Sequence, residues 1–378
     1  MNFLDLSKKY DSFLVPAFAV KVGFSSSEKP MKNVLDLDPA VAVYSVSVDR
    51  AINEIGSFTF TIDNPASENG KPFPRLGPKS PFREYNSVII EMGYGSKLKQ
   101  VICGTIESVE ATFPENGISQ LTIKGFDYLK STTKTQITKP PTWGNSQNKV
   151  SYTDIINDIM GKGYKFKVEA EDTPKNIINK KQDSHKDFAF VKKISNEIGY
   201  DFYMRGNAFV FKPKFYEKSN SLELKWGLSL MSFSPRIDVS EQVSKVVVLG
   251  WDDTTNETIE GIANSGNERN KEKGQSGSQV ALKSGRDTIE TLYRPNVKTK
   301  EDADTIAKSV LESHSGKLVS GSGETFGLPE IEPGMRISIT GVSNLFSKEY
   351  CVKKVTHSIS SSGFKTQFEV IQNTLSGK

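Results

Sequence analysis

The chain has 378 residues, 36% of them hydrophobic, with 49 basic against 45 acidic side chains and a net charge of +4. That balance argues against a nucleic-acid binder, which needs a concentrated basic face. A mean hydropathy of −0.42, and no run near the roughly 18 apolar residues that span a bilayer, give no expectation of membrane insertion. Length alone predicts two to three domains. The start, Met1-Asn2-Phe3-Leu4-Asp5, has neither a basic region nor a long apolar one, so no secretory signal is expected.

Strands dominate the first third. Phe18, Val20 and Val22 alternate with Ala19 and Lys21; Val41 and Val43, then Val46 and Val48, alternate with a phase slip near Tyr44. Phe58, Phe60 and Ile62 follow the same period of two, which predicts half-buried strands. A loop is expected from Asp63-Asn64-Pro65 to Pro74. The segment from Ser87 to Gly125 then reads as strand, glycine turn, long strand, polar turn and strand. Together these predict about six or seven antiparallel strands, enough for a sandwich or barrel.

The stretch from Thr132 to Asn148, with Pro140-Pro141 and Gly144, reads as a linker. Ser151 with Asp154 predicts a capped helix whose face is Ile155, Ile156, Ile159 and Met160. Ser184 with Asp187 suggests the same grammar for a helix bearing Phe188, Val191, Ile194 and Ile198, stopped at Gly199. A hairpin follows, turning at Arg205-Gly206-Asn207. Strands resume at Leu222 to Leu224 and Val243 to Leu249. The polar segment 252–287 then reads as a long loop, functional or disordered. A third helix is predicted from Thr299 to Gly316, with Ala303, Ile306, Ala307, Val310 and Leu311 on its buried face.

Met335 to Val370 repeats the pattern of Ser87 to Gly125. Ile106, Val109 and Gly117 stand 246 positions before Val352, Val355 and Gly363. In both copies the alternation changes phase inside the long strand, at Glu107-Ser108 and at Lys353-Lys354, which predicts a β-bulge at each place.

Chemistry-bearing patterns are sparse. His185, His314 and His357 have no Cys, His or acidic partner at metal-ligand spacing, and each reads as structural. Cys103 and Cys351 read as buried free thiols. Gly316 to Gly327 lacks the Gly-Lys-Ser/Thr ending of a phosphate loop and reads as a flexible turn. The adjacent acids Asp252-Asp253 read as solvated charges instead of a hydrolase pair, which needs carboxylates across a cleft. No catalytic, metal or cofactor-binding residue is assigned, no cofactor is expected, and interface residues are left unassigned.

Several stretches together resemble the late control D proteins, the baseplate hubs of contractile phage tails. They are also similar to the N-terminal hub part of type VI secretion spike proteins. The resemblance rests on Phe188 to Phe202 with its hairpin, and on Val246-Val247-Val248-Leu249-Gly250-Trp251-Asp252. It rests also on Val15-Pro16-Ala17-Phe18 and Cys103-Gly104-Thr105-Ile106. The closing set is Gly327-Leu328-Pro329, Pro333-Gly334, Gly341, Phe346-Ser347, Tyr350-Cys351-Val352, Val355, His357 and Gly363-Phe364-Lys365-Thr366.

The resemblance implies an α+β fold, mainly antiparallel β, with two tube-protein-like β-barrels and an intervening small α/β domain. Expected boundaries are 1–131 for the first barrel, 132–220 for linker and α/β domain, 221–251 with 316–378 for the second barrel, and 252–315 for a polar insert and amphipathic helix. Three chains are expected to form a pseudo-hexameric ring joining a separate spike protein to the tail tube protein, among other baseplate proteins. Nucleic acid or effector is expected only as cargo in the lumen. The setting would be a virion tail or phage-tail-like particle, assembled in the bacterial cytoplasm. The chain stops at Lys378 without the spike domains of type VI proteins, so the spike is expected to be separate. Two other readings stand beside this non-enzymatic one: a baseplate-associated cell-wall hydrolase, and a hexameric tail tube or tube-initiator protein.

Overall fold

The alternating segments at the two ends of the chain pair into one large, mainly antiparallel sheet in a computed structural model of the protein. The structure describes residues 3–10, 13–23, 31–33, 41–65, 67–68, 71–72, 74–77, 80–134, 138–145, 147–177, 179–215, 222–252, 255–269, 271, 273–285, 288–295 and 297–375.

A short helix, α1 (Phe3–Lys9), precedes the first half of the sheet and buries Leu6 against it. No residue pattern had predicted this helix. The strands are β1 (Pro16–Gly23), β2 (Val43–Ala51), β3 (Ser57–Asp63), β4 (Ser87–Tyr94), β5 (Lys97–Thr112) and β6 (Gln120–Asp127). Their spatial order is β2-β3-β6-β5-β4-β1. The phase slip at Tyr44 is a register shift between Val43 and Ser45.

The second half repeats this plan more completely than the sequence suggested. Its strands are β10 (Leu222–Lys225), β11 (Ser232–Ile237), β15 (Val319–Phe326), β16 (Arg336–Thr340), β17 (Lys348–Ser360) and β18 (Gly363–Gln372). Their spatial order is β11-β15-β18-β17-β16-β10, strand for strand the order of the first half. One difference is that β10 runs parallel to β16, whereas β1 is antiparallel to β4. Both expected bulges are present: the β5–β6 register shifts between Ile106 and Ser108, and the β17–β18 register between Val352 and Lys354. The turn glycines correspond as well, with positive φ at Gly95 and Gly341 and at Gly117 and Gly363. These turns need φ values that side chains resist.

The halves meet edge to edge. One edge of β17 is shared by β16, on Lys348 to Cys351, and by β2, on Lys354 to Ile359. One core of Val46, Val48, Phe58, Phe60, Ile106, Val352, Val355, Phe368 and their neighbours runs beneath both halves. The expected pair of separate barrels is therefore not what the pairing shows. The sheet continues through both halves, and no sheet closes on itself among the described residues.

The glycine-rich stretch is a strand and not a flexible turn. Gly321 and Gly323 lie in β15, where an added Cβ would come within 2.8 Å of the Phe233 ring and 2.5 Å of the Phe368 ring. Glycine is there because two phenylalanines occupy the space above it.

Two smaller bodies interrupt the repeat. The first holds α2 (Tyr152–Ile156), continued as a wider-wound turn Asn157–Gly163, and α3 (Asp187–Ile198). Its strands are β7 (Lys167–Ala170), β8 (Tyr200–Arg205) and β9 (Ala208–Pro213). Its own core includes Ile155, Ile156, Phe190, Ile194, Phe202 and Phe209. The Ser151–Asp154 capping box forms as expected. Ser184 does not cap α3. That helix starts after Lys186, and the Asp187 carboxylate accepts from Tyr164 and Gln182 instead.

The second body holds β12 (Lys245–Asp252), β13 (Glu257–Asn264), α4 (Gly277–Lys283), β14 (Ile289–Tyr293) and α5 (Lys300–Ser315). Segment 252–287 is thus not a structureless loop: β13 pairs with β12, and α4 has a capping box of Ser276 and Gln279. The strand Val243 to Leu249, assigned above to the second barrel, pairs with β13 and β14. It packs Val246 and Val248 on Ala303, Ala307 and Leu311 of α5. Its alternation looked like that of any sheet strand, and only the partner decides membership.

The Gly323→Ala variant should lose about 1–3 kcal/mol of stability through overpacking against Phe368. Equilibrium urea denaturation checks this, and an unchanged midpoint would mean that the ring moves aside freely.

Candidate assembly surface

The joint between the halves carries buried polar groups, among them Arg50, His357 and Thr366. Along it, Lys354 to Ile359 of β17 pair with Ala51 to Val46 of β2. Ile52 N–H donates to Lys353 O at 2.9 Å, and Thr356 Oγ1 donates to Asp49 Oδ1 at 2.6 Å across the joint. On the inward face, Val48, Val355 and His357 are fully buried.

His357 is held by a directional chain. Leu328 N–H donates to Thr366 Oγ1 (2.8 Å), leaving the hydroxyl proton for His357 Nδ1 (2.9 Å). Nε2–H then donates to Ile331 O (3.1 Å), which assigns the neutral tautomer. Burial, reinforced by the nearby positive charge of Arg50, pushes its pKa down to about 3.

Arg50 sits on the same inward face of β2 as Val46 and Val48. Its Nη2 donates to Met204 O at 2.7 Å and so ties the sheet to the α/β body. Asn53 strengthens that tie: its side chain donates to Asp201 (2.7 Å) and accepts from Phe202 N–H (2.9 Å). Glu332 draws Lys99 (2.6 Å) and Arg205 (3.2 Å) to the same junction. Burial works against its charge, yet Lys99, Arg50 and Arg205 together hold its carboxyl below the usual range.

Asp127 ends β6 and accepts from Gly56 N–H (2.8 Å) and Leu129 N–H (3.1 Å). Burial pushes its pKa up to about 7, although both N–H groups and Arg50 oppose the shift.

The opposite face of the sheet is polar. Glu110 pairs with Lys124, Glu324 with Lys365, and Thr61 with Thr122. A shallow depression of about 370 Å³ lies there, lined by Ser232, Ser322, Glu324, Lys354, Gln367 and Glu369. Gln367 and Lys365 hold the Glu324 carboxyl below its ordinary pKa, the reverse of what a general acid needs.

The residues weighed in the sequence fall apart in space. His314 lies in the last turn of α5 between Glu241 O (2.7 Å) and Glu290 Oε2 (2.5 Å). His185 is exposed, just before α3. Cys103 and Cys351 are both buried. Asp252 ends β12, and Asp253 lies outside the described residues. Among the described residues no group of three or more His, Cys, Asp or Glu is placed to hold a metal ion. No helix among them is long and apolar enough to cross a membrane.

Residues 31–361 match the family described as the Alg8 N-terminal domain. The chain belongs to this family. No curated protein matches the sequence. Among solved structures, the chain is similar to the 43 kDa tail protein of prophage MuSo2 from Shewanella oneidensis. That likeness has 12% identity and a TM-score of 0.67 over 95% of this chain and 98% of that one. The tail protein from Neisseria meningitidis MC58 gives 12% identity and 0.66, over 95% and 97%. An Escherichia coli component of the type VI secretion system gives 11% identity and 0.58, over 93% and 76%. The shared fold of this family member is therefore one found in phage tail and type VI secretion proteins.

Asp127 and His357 give opposite pH dependences. Asp127 binds its proton more tightly in the folded chain (about 7, against an ordinary 3.8), so its contribution to stability falls as pH rises through that window. His357 binds its proton less tightly when folded (about 3, against 6.5), so its contribution falls as pH drops below 6.5. On going from pH 7 to 5, His357→Gln should gain stability relative to the parent, and Asp127→Asn should lose it. Urea midpoints at the two pH values check both signs.

Proposed function

We propose that the protein is a structural hub of a contractile phage tail or phage-tail-like particle, with no catalytic turnover. Three chains form a ring of six near-equivalent sheet units that joins the spike to the tail tube. The observation that carries this reading is the repeat itself: two six-strand units of identical spatial order, with the same bulge, joined edge to edge in one chain. A chain that carries two such units lets a threefold body present six positions. The likeness to tail proteins and to a type VI secretion component agrees with it.

Within this reading each half stands for one tube-like barrel wall, 1–131 and the strands of 221–237 with 316–378. The α/β body and the β12–β14 body are appendages outside the ring. The polar sheet face, with its paired Lys and Glu side chains, suits a lumen through which charged cargo passes without adhering. The setting is the tail, assembled in the bacterial cytoplasm. Neither a hydrolase nor a single-unit tube protein would need the repeat.

Sedimentation velocity of the purified protein, alone and with spike and tube proteins, tests the hub. A species of three times the 41.9 kDa chain mass is expected. A strict monomer at every concentration and in every mixture would refute the ring.

A further inference from the structure

The internal joint uses one edge of each half and leaves the matching edge of the other half open. Beyond its bulge, β5 pairs with β6 alone, so Ser108 to Thr112 have an outer edge with no strand on it among the described residues. The equivalent stretch of β17 carries β2. At the other end of the sheet, β11 pairs among the described residues with β15 alone, whereas its equivalent, β2, pairs on both sides.

Burial follows the same division. Val355, His357, Val46 and Val48 are 0–1% exposed at the joint. Their counterparts Val109, Ala111, Phe233 and Pro235 are only half-buried.

Walking across the two units fixes which residues correspond. From Val109 the paired row runs Ile123, Phe60, Val46. From Val355 it runs Phe368, Gly323, Phe233. Phe233 therefore stands where Val46 stands, and Val109 where Val355 stands.

We infer that β11 of one copy pairs antiparallel with β5 of the next, in the register of the internal joint. This rests on the ring proposed above and names the contact that builds it; the partner is a second copy of this chain. Transferring Ala51↔Lys354 to Val46↔Ile359 sets Ile237 against Val109, Arg236 against Glu110, Pro235 against Ala111, Ser234 against Thr112 and Phe233 against Phe113.

The chemistry fits residue by residue. Arg236 and Glu110 are opposite charges where Asp49 and Thr356 make the polar contact of the internal joint. Ile237 meets Val109, and Phe233 meets Phe113, which is 57% exposed in the single chain.

Backbone phase fits too. Asp238 N–H donates to Leu318 O, so the backbone groups of Phe233, Pro235 and Ile237 point away from β15 toward the open edge. Pro235 has no N–H, so this ladder lacks one rung that the internal joint has. The proline also leaves this strand a poor edge for arbitrary partners. Because the two edges differ, the contact is head-to-tail and repeats until a ring closes.

Thr112 and Ser234 form a non-hydrogen-bonded pair in this register, with Cα atoms about 4.5 Å apart, a spacing a disulfide can bridge. Under mild oxidation the Thr112→Cys/Ser234→Cys variant should give dimer and trimer bands on a non-reducing gel. Thr112→Cys/Arg236→Cys, two residues out of register, should give far less. Separately, Glu110→Arg should weaken association at least tenfold with an unchanged melting temperature, and adding Arg236→Glu should restore it. A trimer by sedimentation that forms no 112–234 bond, or that bonds equally in both pairs, overturns the edge pairing and leaves the ring standing. A protein monomeric throughout overturns both.

Discussion

The structure depends on β17 being long enough, and bent enough, to serve two neighbours on one edge. Before Lys353 that edge belongs to β16, and beyond it to β2. The extra residue at the bulge lets the apolar face stay inward on both sides of the bend, with Val352 before it and Val355 after it both fully buried. A straight, unbulged strand would turn one of those segments outward. The continuity of the core across the joint depends on that one added residue.

The joint also holds buried polar groups of its own. A sheet that passes from one half to the other must bury the backbone and side chains of its seam, and each needs a partner. Thr366 and Ile331 supply them for His357, Met204 for Arg50, and Gly56 with Leu129 for Asp127. Arg50 and Asn53 extend this network to the α/β body, so three parts of the chain share one set of bonds. Removing one partner there costs more than an exposed ion pair would, because the remaining group stays dry.

Much of this was legible in the residues. Period-two alternation located most of the long strands, though not β13 or β15; the phase slips located the bulges, and the constant spacing of 246 positions exposed the repeat. What failed was partner choice. Val243 to Leu249 alternates like a strand of the large sheet but pairs with β13, because nothing local encodes which edge a strand will meet. The polar composition of 252–287 hid β13 and α4, whose buried positions are mostly small residues such as Gly261, Ala263, Gly277, Ser278 and Ala281. Gly321 and Gly323 looked flexible because the phenylalanines that require them are distant in sequence. Arg50 carried a visible signal, a charge at the inward parity of a β-strand, but its partner at Met204 did not.

The shared bulge has a consequence for how such a chain can change over time. Side chains in these strands can be exchanged freely as long as the inward and outward sets are kept, which suits a fold recognisable at 12% identity. Length cannot drift in the same way. One residue added to or lost from Lys97–Thr112 or Lys348–Ser360 would invert every position beyond it and bring charges into the core. The two long strands therefore behave like reading frames, open to substitution and closed to insertion, while the bodies spliced between β6 and β10 and between β11 and β15 have room to grow or shrink.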